Sequence, residues 1–388
     1  MTDLRIGVIG AGGRGSLAAH AHKPGQGARI AAVCDIRTEV LQECRTAYGE
    51  DILTTDSPNA LWEQDLDAVF VCSPDYLHRS HAGAALEAGV AVYLEKPMGI
   101  TIAECDEILR LAAHGQTKLY LGHNMRHMDF VATMKKLITD GAIGEVQTAW
   151  CRHFVGHGGD FYFKDWHADR RLSTGMLLQK ATHDIDVLHW LCSGYSRRVH
   201  AMGSLAVYGR VGNRLSEPGP RPRHSLDNWP PLAQTGLHPI VDIEDISMMQ
   251  MELDNGVLAC YQQCHFTPDY WRNYTVIGTE GRMENFGNGE EGTVIKVWNR
   301  RRNGYDAAGD IEIPLQPLSG GHGGADPRIV DEFLGFVRGE SVPRTSPVEA
   351  RHSVAAGCCA TDSLRHGGLP VDVPDVDRDI AEFFAPTA

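Results

Sequence analysis

Glu95-Lys96-Pro97 stands where an apolar run, Val90 to Leu94, gives out, some eighty residues after a glycine-rich turn. Open α/β sheets bind ligands at the carboxyl edge of their strands, so a lysine there can move a proton while a hydride passes to or from a nicotinamide. The turn agrees. Leu4 to Ile9 is followed by Gly10-Ala11-Gly12-Gly13-Arg14-Gly15 and then by helix-forming residues. In such a motif Gly10 makes the turn, Gly12 lets the backbone approach a pyrophosphate, and Gly15 lets the helix pack on the sheet. Gly13 and Arg14 complete the phosphate side of the turn. Twenty residues beyond Gly15, the apolar stretch Ile30 to Val33 ends at Cys34-Asp35. An acidic side chain there accepts hydrogen bonds from the adenosine ribose, which predicts NAD rather than NADP. Arg37 pulls the other way, since an arginine can pair with a 2′-phosphate.

The elements that position these residues alternate as strand and helix. A helix is predicted from Glu39 to Tyr48, a short strand near Ile52, a helix capped by Ser57-Pro58, and a strand from Ala68 to Cys72. Ser73-Pro74-Asp75-Tyr76-Leu77-His78 then turns into a helix, which places Ser73, Pro74 and His78 at the cofactor edge. Thr101 with Glu104 three residues on is a reciprocal helix cap, and Gly115 ends that helix. Lys118 to Leu121 leads to Gly122-His123-Asn124, so the nucleotide-binding domain is expected to close at residue 122, with Asn124 beside the cofactor.

Residues 123–388 are expected to form the substrate-binding and oligomerisation domain. A helix from Met125 to Asp140 precedes a strand from Val146 to His153. Further strands are predicted at Val199 to Val207, Ile246 to Leu253, Val257 to Cys264, Tyr274 to Gly278 and Thr293 to Trp298. Asp254-Asn255-Gly256 is a hairpin turn, so the sheet reads as mostly antiparallel. A long Pro-, Arg- and Gly-rich loop runs from Gly209 to Pro239. Asp326-Pro327 reads as a helix cap, His322 between glycine pairs could present its ring to a cleft, and residues 347–366 form a last helix.

With 388 residues, 43% hydrophobic and 22% charged, the chain has enough apolar content for two domains sharing a cleft. A net charge of −14 disfavours nucleic acid and anionic membranes and is indifferent to an uncharged sugar. Met1-Thr2-Asp3 leads straight into the first strand and no apolar run approaches membrane-spanning length, so a cytoplasmic protein is expected. The ten cysteines are scattered, as reduced thiols would be. Cys260 and Cys264-His265 lack paired zinc spacing, and no metal is assigned, although His153, His157 and His167 leave a catalytic metal open.

These residues taken together with His183 resemble the Gfo/Idh/MocA oxidoreductases over nearly the whole length. The resemblance implies an N-terminal Rossmann domain and an α/β C-terminal domain with a large, mostly antiparallel sheet, whose 347–388 tail packs back on the first domain. It implies NAD as cofactor, with Lys96 catalytic and beside the nicotinamide ribose, and a sugar or cyclitol as substrate. A homodimer or homotetramer is the expected assembly. Family members commonly carry Leu-Leu-Asp before the histidine, whereas here Leu177-Leu178-Gln179-Lys180-Ala181-Thr182-His183 places Gln179 at the aspartate's position. Lys180 and His183, three apart, and Gln179 and His183, four apart, would share a helix face. His183 and Lys180 are therefore candidate catalytic groups beside Lys96, with Gln179, Arg152, His153 and Asn124 orienting substrate. Two rival activities belong to the same family: a glycosidase that oxidises its sugar transiently with retained NAD, and a non-enzymatic NAD-binding regulator. The intact Glu95-Lys96-Pro97 argues against the second.

Overall fold

The computed structural model describes residues 2–219 and 224–385. Six strands, β1 (Leu4–Ile9), β2 (Ala28–Cys34), β3 (Leu53–Thr55), β4 (Ala68–Val71), β5 (Ala91–Leu94) and β6 (Leu119–Leu121), form one parallel sheet. Its order is β3-β2-β1-β4-β5-β6, the doubly wound arrangement that reverses direction beside β1. These strands are short and almost continuously apolar because helices cover both faces.

Local chemistry explains most of the connections. Thr101 caps the helix Ile102–Gly115, its hydroxyl accepting from the Glu104 amide at 3.2 Å, and Glu104 reaches back to the Ile100 amide at 2.8 Å. Three expectations are corrected. The segment after the glycine turn, Gly13–Ala21, is a tight 3-10 helix, and Ser57 makes no capping bond to the 3-10 helix Pro58–Glu63. The helix expected from Met125 is a 3-10 turn, Asn124–His127, followed by an α-helix, Asp129–Thr139.

The second sheet has nine strands in the order β14-β13-β12-β11-β7-β10-β9-β8-β15. They are β7 (Val146–Val155), β8 (Ser196–Ser204), β9 (Ile246–Leu253), β10 (Leu258–Cys264), β11 (Tyr270–Gly278), β12 (Arg282–Phe286), β13 (Val294–Trp298), β14 (Ile311–Pro314) and β15 (Val371–Asp372). Every pair is antiparallel except β7 with β10. The hairpin at Asp254-Asn255-Gly256 joins β9 to β10, with Gly256 at φ 85°. β12, β14 and β15 have no counterpart in the sequence reading; each is short, and alternation over so few residues carries little signal. Part of the expected loop, residues 220–223, lies outside the described residues.

The chain divides into two compact units, Met1–His127 with Ser319–Arg351 and Asp375–Ala388, and Met128–Leu318 with His352–Pro374. The boundary thus falls at His127 where the sequence reading set it at 122, and the C-terminal segments divide between the units. The first unit holds 319–351 because the helix Gly321–Arg338 buries Ile329, Val330, Phe333 and Leu334 among the strands. Phe333 sits 5.1 Å from Phe70 and 5.5 Å from both Tyr93 and Tyr120, ring centre to ring centre. Aromatic rings at these separations add to the burial of their area.

Two glycines of the first turn are fixed by close backbone approach. Gly10 has φ 80°, and a Cβ on it would lie 2.7 Å from the Ser73 amide nitrogen; a Cβ on Gly15 would overlap the Gly10 carbonyl oxygen. Gly15→Ala is expected to lower the thermal midpoint, because overpacking of this kind costs about 1–3 kcal/mol. Calorimetric melting checks it, and an unchanged midpoint would mean that the turn opens without penalty.

Candidate functional site

In the first unit the carboxyl ends of β1, β2, β4 and β5 carry the glycine turn, Asp35, the Ser73 turn and Lys96 respectively. Asp35 is buried and accepts from the Gly12 amide at 3.2 Å and from the Arg37 amide at 3.0 Å. The Arg37 guanidinium grips both carboxylate oxygens, at 3.0 and 3.1 Å, and lies against the Gly12 Cα, where a Cβ would overlap it. Burial works against the charge on Asp35, yet the Arg37 side chain and these amides hold its pKa below the ordinary carboxylate value. The arrangement fits a dinucleotide: a glycine-rich turn between strand and helix, and a strand-end carboxylate beside it.

Arg14, Glu95, Asn124, His78 and Ser73, all expected at the cofactor edge, bond to other parts of the chain. Arg14 donates from Nε to Glu95 at 2.7 Å and from Nη1 to Asp326 at 2.6 Å, with His322 Nδ1 3.2 Å from the same Nη1. Asp326 is therefore no helix cap: its oxygens take Arg14, His322 at 3.1 Å and the Asn124 amide nitrogen at 3.3 Å. Burial opposes the Asp326 charge, but His322 and Arg14 hold its pKa well below the carboxylate range. His78 is buried, with Nδ1 2.7 Å from the Pro97 carbonyl and Nε2 2.9 Å from the Ser73 carbonyl. It ties the Ser73 turn to the Lys96 loop. Ser73 itself is buried, with Oγ 2.9 Å from His81 Nδ1, and Pro74 follows it at the same edge. Glu95 accepts from the Lys96 amide at 3.1 Å, and the Lys96 side chain is half-buried.

In the second unit the expected helix through 179–183 is broken. Met176–Gln179 ends, Lys180 and Ala181 form a wide turn in which the Ala181 amide reaches the Met176 carbonyl at 3.0 Å, and a new helix runs Thr182–Cys192. Lys180 and His183 therefore belong to different elements, and the shared-face argument does not hold for them. Gln179 is buried and His183 half-buried.

Arg152 and His153 occupy opposite faces of β7, because successive strand residues alternate. Arg152 bonds Asn273 at 2.9 Å and lies 5.1 Å over the Trp271 ring. His153 is fully buried on the other face, its Nδ1 3.0 Å from Asp184 and 3.1 Å from the Tyr261 hydroxyl. Burial first, and then the Arg272 charge, pull the His153 pKa down to about 3. The two cannot serve one substrate wall from this strand, which corrects the expectation that both orient substrate.

Asp184 is the centre the sequence reading passed over. Fully buried, it takes an ion pair from Arg272 at 2.9 Å, a bond from the Tyr274 hydroxyl and a weak one from the Cys151 thiol at 3.6 Å, besides His153. Burial opposes its charge, while Arg272, His153 and Tyr274 hold its pKa below the carboxylate range. The signal was present as Tyr270-x-Arg272-x-Tyr274, three polar or charged groups at strand spacing, and the register sets Arg272 beside His153 and Tyr274 beside Cys151.

Among the described residues no three His, Cys, Asp or Glu side chains are grouped to hold a metal. Of the three histidines left open for one, His153 bonds Asp184 and meets the edge of Tyr270, His157 stacks on the same Tyr270 ring at 5.3 Å, and His167 bonds Asp165. None of the ten cysteines is in a disulfide, and among the described residues no helix is long and apolar enough to cross a membrane.

Comparison with known proteins places this geometry. Residues 4–123 match an oxidoreductase family with an NAD-binding Rossmann fold, and residues 131–284 match the Gfo/Idh/MocA C-terminal domain. The 2,7-anhydro-N-acetylneuraminate hydratase of Mediterraneibacter gnavus is 30% identical over 208 residues, 52% of this chain and 53% of that protein. Inositol 2-dehydrogenase 1 of Saccharopolyspora erythraea is 29% identical over 221 residues, 55% of this chain and 62% of that protein. The matched region therefore spans less than two thirds of either relative. A solved structure of levoglucosan dehydrogenase with NADH and levoglucosan has the same fold, with a TM-score of 0.78 at 20% identity over 96% of this chain and 100% of that one.

Buried neutral histidines give the fold a pH dependence. His127 and His153 are held near 3, and His265 well below its ordinary value, in each case chiefly by burial. Unfolded, each takes a proton near pH 6.5, so stability is full above that pH and is lost as pH falls toward the folded values, by up to about 1.4 kcal/mol per unit and group. Urea unfolding is expected to show a loss of about 2 kcal/mol or more between pH 7 and pH 5. A flat profile would mean that these histidines titrate normally in the fold.

Proposed function

The chain belongs to the Gfo/Idh/MocA oxidoreductase family, and from that premise we propose that it oxidises a secondary hydroxyl of a sugar, glycoside or cyclitol with NAD, or reduces the matching ketone. The observation that carries this reading is the position of Lys96, two residues after β5 at the carboxyl edge of a parallel sheet whose strands β1 and β2 end on the glycine turn and on Asp35. Names borne by the relatives support the substrate class, a cyclitol for one and an anhydrosugar for another.

When bound, NAD supplies the hydride acceptor. The chain does the rest: the turn from Gly10 to Gly15 receives the pyrophosphate on backbone amides, Asp35 takes the ribose hydroxyls, and Arg37 sets the carboxylate's position. Lys96 holds or moves the proton of the reacting hydroxyl, and His183 is the second proton-handling group. Gln179 and Lys180 orient the substrate. Arg14, Glu95, Asn124 and His78 act as positioning residues that hold the turn and the Lys96 loop.

A second reading has one observation in its favour, the relative named a hydratase. In that reading, transient oxidation of the sugar by retained NAD, the hydride would return to the substrate and no reduced cofactor would accumulate. A screen of sugars and cyclitols with NAD and with NADP, followed by nicotinamide absorbance and by product analysis, separates the two.

Lys96→Ala is expected to keep NAD binding and lose roughly a hundredfold or more in turnover, the scale of a lost general acid or base. Near-normal turnover would remove Lys96 from the chemistry. Asp35→Ala should weaken NAD binding and narrow its advantage over NADP, because the carboxylate that holds the ribose hydroxyls repels a 2′-phosphate. Fluorescence titration with both cofactors checks this, and unchanged affinities would assign the ribose to another residue.

A further inference from the structure

The second unit contains a cation without a counter-ion. Lys180 is half-buried, and among the described residues its Nζ makes no hydrogen bond or ion pair; it lies 5.5 Å over the Tyr162 ring and 6.0 Å over the Tyr270 ring. The Asp184 and Asp160 carboxylates are already engaged. Asp184 is taken by Arg272, His153, Tyr274 and Cys151. Asp160 is taken by Lys164 at 3.2 Å, Asn228 at 2.5 Å and the Ser225 amide at 3.4 Å. Arg272 and Asp184 cancel, which leaves one positive charge over.

The groups around Lys180 are donors that do not supply the missing charge. His157 stacks on Tyr270 with ring centres 5.3 Å apart, and His153 meets the edge of the same ring at 5.3 Å. His265 meets Tyr162 edge-on at 5.4 Å, and is fully buried, as is His153. Their second nitrogens, His153 Nε2 and His265 Nδ1, have no hydrogen-bond partner among the described residues. Protonation of His265 is opposed by burial and then by His153, Lys180 and His157, so these rings stay neutral beside the lysine. Buried polar atoms normally find partners, and a buried charge is paired. One surplus positive charge, flanked by neutral imidazoles and two tyrosine faces, matches a single negative charge on a ring-shaped ligand.

We propose that Lys180, with Tyr162, Tyr270, His157 and His265, forms a carboxylate-recognising subsite, and that the substrate is an acidic sugar. The inference rests on the oxidoreductase reading and narrows its substrate class to sugars bearing a carboxylate. A phosphorylated sugar would bring a second negative charge, and among the described residues the other cations of this region, Arg272 and Lys164, are engaged with Asp184 and Asp160.

Calorimetric titration of the full-length, NAD-loaded protein with D-glucuronate and D-galacturonate, against D-glucose and D-galactose, tests it. The acids are expected to bind about tenfold tighter or more than their neutral counterparts, a charge-assisted hydrogen bond being of that order. Lys180→Gln should abolish that advantage, and Lys180→Arg should keep most of it; circular dichroism establishes that both are folded. Acids that bind no better than the neutral hexoses, or a preference that survives in Lys180→Gln, would overturn the subsite. Absorbance on the same samples keeps the two proposals apart. Reduced cofactor formed from neutral sugars with no acid preference sinks the subsite and spares the oxidoreductase, whereas acids bound through Lys180 with no net or transient reduction of NAD sink the oxidation and spare the subsite.

Discussion

A carboxylate shut away from water must be given its full set of partners by the fold, and Asp184 shows how much of a domain that requirement can fix. Its two oxygens draw in side chains from β7 and β11, and these arrive together only because the register sets Arg272 beside His153 and Tyr274 beside Cys151. Removing one partner from a buried ion pair typically costs about 3–5 kcal/mol, since the other charge is stranded. The network extends past Asp184 through Tyr261 to Gln263, at 3.2 Å, and from Gln263 to Ser247 at 2.9 Å. A helix, β7, β9, β10 and β11 are thereby joined by polar contacts beneath a residue adjacent to His183. The same requirement decides what is left over. His153 and Arg272 are spent on Asp184, and Lys180 is not.

The first unit solves a similar problem with charges nearer to solvent. Arg14 rises from the glycine turn, where a cation beside a phosphate would be the obvious reading, and instead links Glu95, just before Lys96, to Asp326 on a distant part of the chain. Burial would disfavour the guanidinium charge, but the two carboxylates raise its pKa above the ordinary arginine value. The turn, the Lys96 loop and the start of the helix ending at Arg338 are thus held by one cation. His78 performs the corresponding task between the Ser73 and Pro97 carbonyls. Residues whose types suggest ligand contact are here the ones that tie the loops at the strand ends to one another.

Elements whose cause is local were legible in the sequence alone: β1 through β6, the glycine turn, the Thr101 cap and the Asn255-Gly256 hairpin, each set by apolar runs, capping chemistry or positive φ within a few residues. So were the family and its cofactor, because the glycine-turn motif is contiguous and its spacing is covalent. What the tertiary structure decided is where side chains of ambiguous type went. Arg14 and Asp326 are 312 positions apart, and no spacing rule connects them. Helical periodicity suggested that Lys180 and His183 share a face, but the wide turn at Ala181 broke the helix between them. Arg152 and His153 looked like neighbours in one site until the pleat sent them to opposite sides of the sheet. Local sequence sets the conformation of a segment, whereas the partner of a buried charge is chosen by whichever distant strand the fold brings within three ångströms, and only the folded chain contains that information.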